Sequence, residues 1–409
     1  MKVAKLIMIT PSNNNKFYNM YANDDDDTFR VEYGRVGATA QIRTYPISKW
    51  DSTYRSKTKK GYIDNTELFV TENSANYKNK DKFLKTRSKE IIDVVNQLQN
   101  WANASVSENY TVSSENVTQK QVDKAQELLN EIAQFDLNSN NINEFNDMLL
   151  KFYSIVPRKM KNVNDFLLNI NDSDLDKSRN DLISNEQDTL DVMTGQVKLN
   201  KAVPTDADNI DIDTDIISDA GLELEYVTDD TIINIIKDLM GQDANKFKNA
   251  YAVVNKNTQS KFDKHLKDSK NKKTELFWHG SRNENWWSII TNGLLIRPAS
   301  AKYTGSMFGD GIYFADKFRK SFGYTSGRRS YWAKGNSNVA VLALYEVHVG
   351  NQKIMTRHDS NCYGLSYKII NSDGFDSVYA KPGASIMNAE YVVYQSQQST
   401  IRYLVTVNA

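Results

Sequence analysis

The chain has 409 residues, 40% of them hydrophobic and 25% charged, enough for two or three domains with their own cores, and this excludes a collagen-like or wholly disordered protein. Its 51 basic and 51 acidic residues cancel, so any attraction to nucleic acid must be local to one domain. The single cysteine, Cys362, excludes an internal disulfide, four histidines lack zinc-site spacing, and no run reaches the roughly 18 apolar residues of a membrane span; a metal-free intracellular protein is expected.

Residues 1–80 read as a small β-rich domain, with apolar positions at Val3, Leu6 and Met8 and a period of two over Phe29 to Tyr33. Gly34 and Gly37 bracket Arg35-Val36 and suggest a turn or bulge. Lys49, Arg55, Lys57, Lys59 and Lys60 then form a basic run, which on its own is more often a solvated face than a binding site.

From 82 to 200 the period becomes helical, and an all-α bundle is expected. Ser88 starts a segment with Ile91, Val94, Val95, Leu98 and Trp101 on one face, and the Ser/Asn-rich stretch 103–116 is expected to break it. Thr118 and Gln121 have capping-box spacing ahead of Val122, Ala125, Leu129 and Ile132. A third helix carries Phe145, Leu149, Phe152 and Ile155 up to Pro157, and weaker patterning runs from Leu175 to Met193.

After an acidic linker, Pro204 to Asp219, residues 205–409 read as an α+β domain. Thr228 is expected to cap a helix ending at Gly241, and strands are expected at Leu276–Trp278, Gly311–Phe314, Val339–Val349, Ser377–Ala380, Tyr391–Tyr394 and Tyr403–Val407. Two segments combine glycines with polar and aromatic residues, as strands that meet a ligand do: Phe277 to Arg282 and Thr304 to Asp316. Neither a dinucleotide-binding G-x-G-x-x-G nor a P-loop is present. Each residue taken singly has a bland reading: His279 as a structural histidine, Tyr313 and Tyr324 as packing aromatics, Glu390 as a strand-end charge.

Taken together, His279-Gly280-Ser281, Met307 to Asp316 and Asn388 to Tyr394 resemble, in order and spacing, the diphtheria-toxin-like ADP-ribosyltransferase domain of poly(ADP-ribose) polymerases. Lys151 to Pro157 resembles part of that family's helical regulatory domain, and Tyr33-Gly34-Arg35-Val36-Gly37 with Lys60-Gly61-Tyr62 resembles a WGR domain. The resemblance implies a multidomain enzyme that transfers ADP-ribose from NAD, its substrate, to proteins including itself. It implies His279, Tyr313 and Glu390 as catalytic residues, and His279, Gly280, Ser281, Tyr313, Phe314, Lys320, Ser321 and Tyr324 around NAD. Tyr33, Arg35, Lys57, Lys59 and Lys60 would meet DNA ends or nicks. A monomer without DNA is expected, nuclear in a eukaryote and cytoplasmic if bacterial or viral.

The chain departs from the family's pattern at three places. Tyr33 replaces a tryptophan, Leu295 stands where many polymerases have arginine, and the stretch from Arg357 to Phe375 is short. A mono-ADP-ribosyltransferase acting on protein or nucleic-acid ends, and a DNA-binding scaffold with an inactive transferase fold, are the alternative readings.

Overall fold

The computed structural model describes the chain except residues 1, 25, 70–82, 110–116, 139, 202–214, 297–306, 332 and 384. The expected domain boundaries near 80 and 205, and the Thr304–Ser306 part of the second glycine-rich segment, lie outside the described residues. Two compact units comprise residues 1–76 with 103–197, and 77–102 with 198–409.

In the first unit an antiparallel sheet is formed by β1 (Lys2–Thr10), β2 (Asn14–Ala22), β3 (Thr28–Arg35), β4 (Gln41–Pro46) and β5 (Ile63–Asp64), in the order β4-β3-β2-β1-β5. Alternation puts Ala4, Leu6, Tyr18, Met20, Phe29 and Val31 into one core, closed by Trp50 of α1 (Trp50–Thr58), whose ring meets Phe29 at 5.1 Å. After a single turn, α2 (Thr66–Phe69), come α3 (Lys89–Asn109), α4 (Gln119–Gln134), α5 (Ile142–Ile155) and α6 (Leu175–Lys201).

The break expected at 103–116 falls later, because Ala102 and Val106 extend the buried stripe of Val95 and Leu98 and carry α3 on to Asn109. The Thr118 side chain accepts from the Gln121 backbone as expected. The Gln121 side chain, however, donates to Ile155 O at 2.8 Å, tying α4 to the end of α5 instead of closing the box.

Residues of α3 up to Ala102 belong to the second unit, where Ile91, Val94, Val95 and Leu98 pack with Ile217, Leu222, Tyr251 and Val253. This α3 face therefore buries itself on the α+β core and not in an all-helical one. The segment entering α3 is fastened by Asp215, the N-cap of α7 (Ile216–Asp219), which accepts from Arg87 Nε at 2.8 Å, Arg87 Nη2 at 3.0 Å and Leu84 N. Burial opposes the charge, but hydrogen bonds from Arg87, Ser218 and Leu84 outweigh it and hold this carboxyl well below the usual range.

The second unit continues with β6 (Leu222–Tyr226), α8 (Asp230–Met240), β7 (Phe247–Asn255), α9 (Lys256–Asp268), β8 (Thr274–Gly280), α10 (Trp286–Asn292), β9 (Ile312–Phe314) and α11 (Phe318–Phe322). It closes with β10 (Val339–His348), β11 (Gln352–Met355), α12 (Tyr367–Ser372), β12 (Ser377–Ala380), β13 (Glu390–Val393) and β14 (Ser399–Asn408). Asp229, not Thr228, caps α8 by accepting from Thr231 N, while Gly241 ends it at φ 60°. One sheet runs β6-β7-β14-β10-β8 and is antiparallel; the other runs β11-β12-β13-β9, with only the β11–β12 pair parallel. A bridge between Trp278 and Ala315 joins β8 to the end of β9 and so brings the two sheets together.

Candidate active site

That bridge decides where the site forms. His279 follows Trp278 on β8, Tyr313 lies in the middle of β9, and Glu390 starts β13, whose Val392 is paired with Tyr313. The His279 Nδ1 lies 3.0 Å from Tyr313 O. A carbonyl can only accept, so Nδ1 carries a hydrogen and donates it. Phe314, also expected at the site, has its ring buried behind the imidazole, 5.8 Å from His279 and 5.6 Å from Tyr345.

Gly280 has no room for a side chain. A Cβ there would sit 1.9 Å from Ser321 O, so α11 approaches β8 as closely as backbone allows. The buried Ser321 hydroxyl donates to Trp278 O at 3.1 Å, and Ser281 Oγ accepts from Asn285 Nδ2 at 3.0 Å. The Tyr313 hydroxyl donates to Gly309 O at 2.8 Å and accepts from Phe308 N at 2.9 Å, which fixes the ring. Burial, with smaller effects from Glu390 and Asp310, pushes this phenol far above its ordinary range; burial and Glu390 push Tyr324 up to about 12.

Glu390 is 6% exposed, and its Oε1 meets Lys320 Nζ at 2.5 Å. Lys320 also donates to Ala389 O at 3.2 Å and Asn388 O at 3.3 Å, and burial lowers its pKa against the pull of Glu390. The other carboxylate oxygen, Oε2, is buried without a hydrogen-bond partner among the described residues, and so is Asn285 Oδ1. Buried polar atoms are normally paired, so both oxygens keep an unused capacity to accept a hydrogen bond. Hydroxyls of a ribose fit both oxygens.

Asn285 was not reached by sequence reasoning. The usable signal is its place four residues after Ser281, where the short 3-10 turn Asn283–Asn285 folds its amide back onto the serine.

Two basic residues expected at nucleic acid, Arg35 and Lys57, are already engaged. Arg35 donates to Met160 O and Lys161 O at 2.9 Å, and to Asn13 O and Oδ1 at 2.9 and 2.8 Å. Lys57 Nζ lies 3.8 Å from the Tyr18 ring centroid and 5.5 Å from that of Tyr62; burial lowers its pKa. The Tyr33 ring lies 5.7 Å from that of Tyr18, tilted by 35°, with the Arg43 guanidinium 5.6 Å from its centroid, and Lys59 and Lys60 are exposed.

Comparison with known proteins places this geometry in a class. The family model of the poly(ADP-ribose) polymerase catalytic domain matches residues 231–409, and that of the WGR domain matches residues 5–69. The second unit is thus the catalytic part of an NAD ADP-ribosyltransferase. Protein 101L of Invertebrate iridescent virus 6, described as uncharacterized, is 35% identical over 206 residues, 50% of this chain and 82% of the relative. The putative poly [ADP-ribose] polymerase-like 100L of the same virus is 34% identical over 178 residues, 43% of this chain and 93% of the relative. Poly [ADP-ribose] polymerase 2 of Arabidopsis thaliana is 31% identical over 168 residues, covering 36% of this chain and 25% of that relative. The chain belongs to the poly(ADP-ribose) polymerase family, and NAD is its substrate. Among the described residues no helix is long and apolar enough to cross a membrane.

Proposed function

We propose that the enzyme builds ADP-ribose polymer on protein side chains, its own included, and that broken DNA stimulates it. The observation that carries the transfer chemistry is the buried Glu390, with Oε1 on Lys320 and Oε2 unpaired. Nicotinamide sits between the Tyr313 and Tyr324 rings, its carboxamide held by the Gly280 backbone. The Ser321 hydroxyl already donates to Trp278 O, so it serves the carboxamide as an acceptor of an amide hydrogen.

Glu390 Oε2 accepts from a hydroxyl of the nicotinamide ribose and stabilises the positive charge that grows on the sugar as the glycosidic bond breaks. His279 Nε2 accepts from a hydroxyl of the adenosine ribose, and Asn285 and Ser281 hold the same sugar. Lys320 orients the Glu390 carboxyl through their ion pair in a poorly hydrated site.

Regulation follows from the first unit. Tyr33, the Lys57 aromatic cluster and exposed Lys59 and Lys60 offer rings and charge to a DNA end. Arg35 is committed to the carbonyls of Met160 and Lys161 after α5, so a phosphate that takes its guanidinium away releases those carbonyls and loosens the helices. Incubating the protein with labelled NAD, with and without nicked or blunt DNA, tests both parts. A ladder of products and faster nicotinamide release with DNA are expected. A single discrete band makes the enzyme a mono-ADP-ribosyltransferase, an unchanged rate removes the regulatory reading, and no nicotinamide release leaves a scaffold.

A further inference from the structure

Lys320, the partner of Glu390, stands on a helix too short to hold itself. The five residues of α11 close hardly more than one turn, and isolated helices of that length do not persist in water. Its orientation is therefore set by what its side chains grip. Successive helical residues point about 100° apart, so Phe318 and Phe322 share one face while Arg319, Lys320 and Ser321 point in three other directions. Phe318 and Phe322 bury in the core with Trp278, Ser321 donates to Trp278 O, and Lys320 reaches β13.

Arg319, on the side away from Ser321, supplies the remaining grip. Its Nε donates to Asp243 Oδ2 at 3.1 Å and its Nη2 to Asp243 Oδ1 at 3.2 Å, a two-pronged pair that fixes direction as well as distance. Asp243 is 6% exposed, on the 3-10 turn Gly241–Lys246 that follows α8, and Arg319 is its only side-chain partner among the described residues. The same end of α8 also holds β8, because Leu239 O accepts from Trp278 Nε1 at 3.1 Å. One segment thus grips both the residue just before His279 and the residue just before Lys320.

We propose that Asp243 is a positioning residue for the transfer step: through Arg319 it sets the rotation of α11 about its buried phenylalanines and so keeps Lys320 Nζ on Glu390. This rests on the reading that Lys320 orients Glu390. Ser321 is held independently, since the bare Cα of Gly280 lets Ser321 O lie against β8. Losing Asp243 therefore loosens the partner of the carboxylate and leaves in place the groups that hold nicotinamide, so the rate changes and ligand affinity does not.

The test measures nicotinamide release at saturating NAD and benzamide affinity for the full chain and its Asp243→Asn, Arg319→Met, Arg319→Lys and Lys320→Met variants, with Glu346→Gln as control. Glu346 pairs with Arg402 at 2.6 Å between β10 and β14, an ion pair that includes no residue of α11 or of the α8 end. Asp243→Asn and Arg319→Met should each lose about tenfold in release, with benzamide affinity within about threefold of wild type. Arg319→Lys keeps the charge without the fork and should lose less. Added to Lys320→Met, Asp243→Asn should cost no more than about twofold further, because residues acting through one contact are not additive. Release by Glu346→Gln should stay within about threefold of wild type.

Release within about threefold of wild type in either Asp243→Asn or Arg319→Met, a further loss of about tenfold on top of Lys320→Met, or the same loss in Glu346→Gln overturns the proposal. So does an equal fall in rate and benzamide affinity, which would make the pair a general support of the fold. Should Asp243→Asn fail to fold, Arg319→Met decides, because it removes a side chain that is 67% exposed. Lys320→Met at the wild-type rate removes the reading of Lys320 and the proposal with it; a slow Lys320→Met beside a fast Asp243→Asn removes the proposal alone.

Discussion

The candidate transfer site and the basic face of the first unit engage their polar groups differently. In the transfer site polar atoms are buried and left unpaired: Glu390 Oε2 and Asn285 Oδ1 wait at fixed positions. In the first unit two cations of the proposed DNA-binding face already have partners, Arg35 on backbone carbonyls and Lys57 on tyrosine rings. A preorganised site loses little by binding, whereas an occupied cation must exchange one partner for another. On the proposed reading, the catalytic unit binds its substrate with groups already in place, whereas binding at the first unit exchanges internal contacts.

The sharpest break of this comparison is Lys320→Met. Removing one partner of a buried ion pair costs about 3–5 kcal/mol or neutralises the survivor. Nicotinamide release by this variant should fall by about 10²-fold; a rate within about threefold of wild type would show that Lys320 does not serve Glu390.

Gly280→Ala comes next. A methyl group 1.9 Å from Ser321 O must push α11 off β8, which should cost about 1–3 kcal/mol in denaturant unfolding and abolish benzamide binding. Retained binding would mean that the carboxamide is not held here.

Arg35→Ala leaves the carbonyls of Met160 and Lys161 without their donor, at a cost of about 1–2 kcal/mol, and should weaken or remove stimulation by nicked DNA while basal nicotinamide release persists. A variant with normal stimulation would assign Arg35 a purely structural part. The smallest effect belongs to Lys59→Ser with Lys60→Ser. Both side chains are exposed, so stability should move by no more than about 0.5 kcal/mol, and the salt dependence of DNA affinity should shallow by about one to two counterions.

The strands that carry the motif residues were legible from local pattern: β8 for His279, β9 for Tyr313, β13 for Glu390. What brings them together, the Trp278–Ala315 bridge, is a long-range backbone contact with no local mark. Arg35 looked like a free cation for the same reason, since two of its partners, Met160 and Lys161, lie more than 120 residues away. The helix α9 escaped notice because Phe262 is its only buried residue and its start is set by Asn255, which accepts from Asn257 N and Thr258 N. The expected end of α3 near 103 gave Ser and Asn propensity too much weight against two buried apolar residues, Ala102 and Val106.

The central claim is that Glu390 acts on charge developed in the reaction and not on substrate binding. It is tested most directly by single-turnover nicotinamide release from Glu390→Gln with NAD occupancy measured in parallel. The amide keeps the shape and loses the charge, so the rate should fall by about 10² to 10³ with NAD affinity nearly unchanged. A rate close to wild type, or a loss explained entirely by weaker NAD binding, would contradict the account.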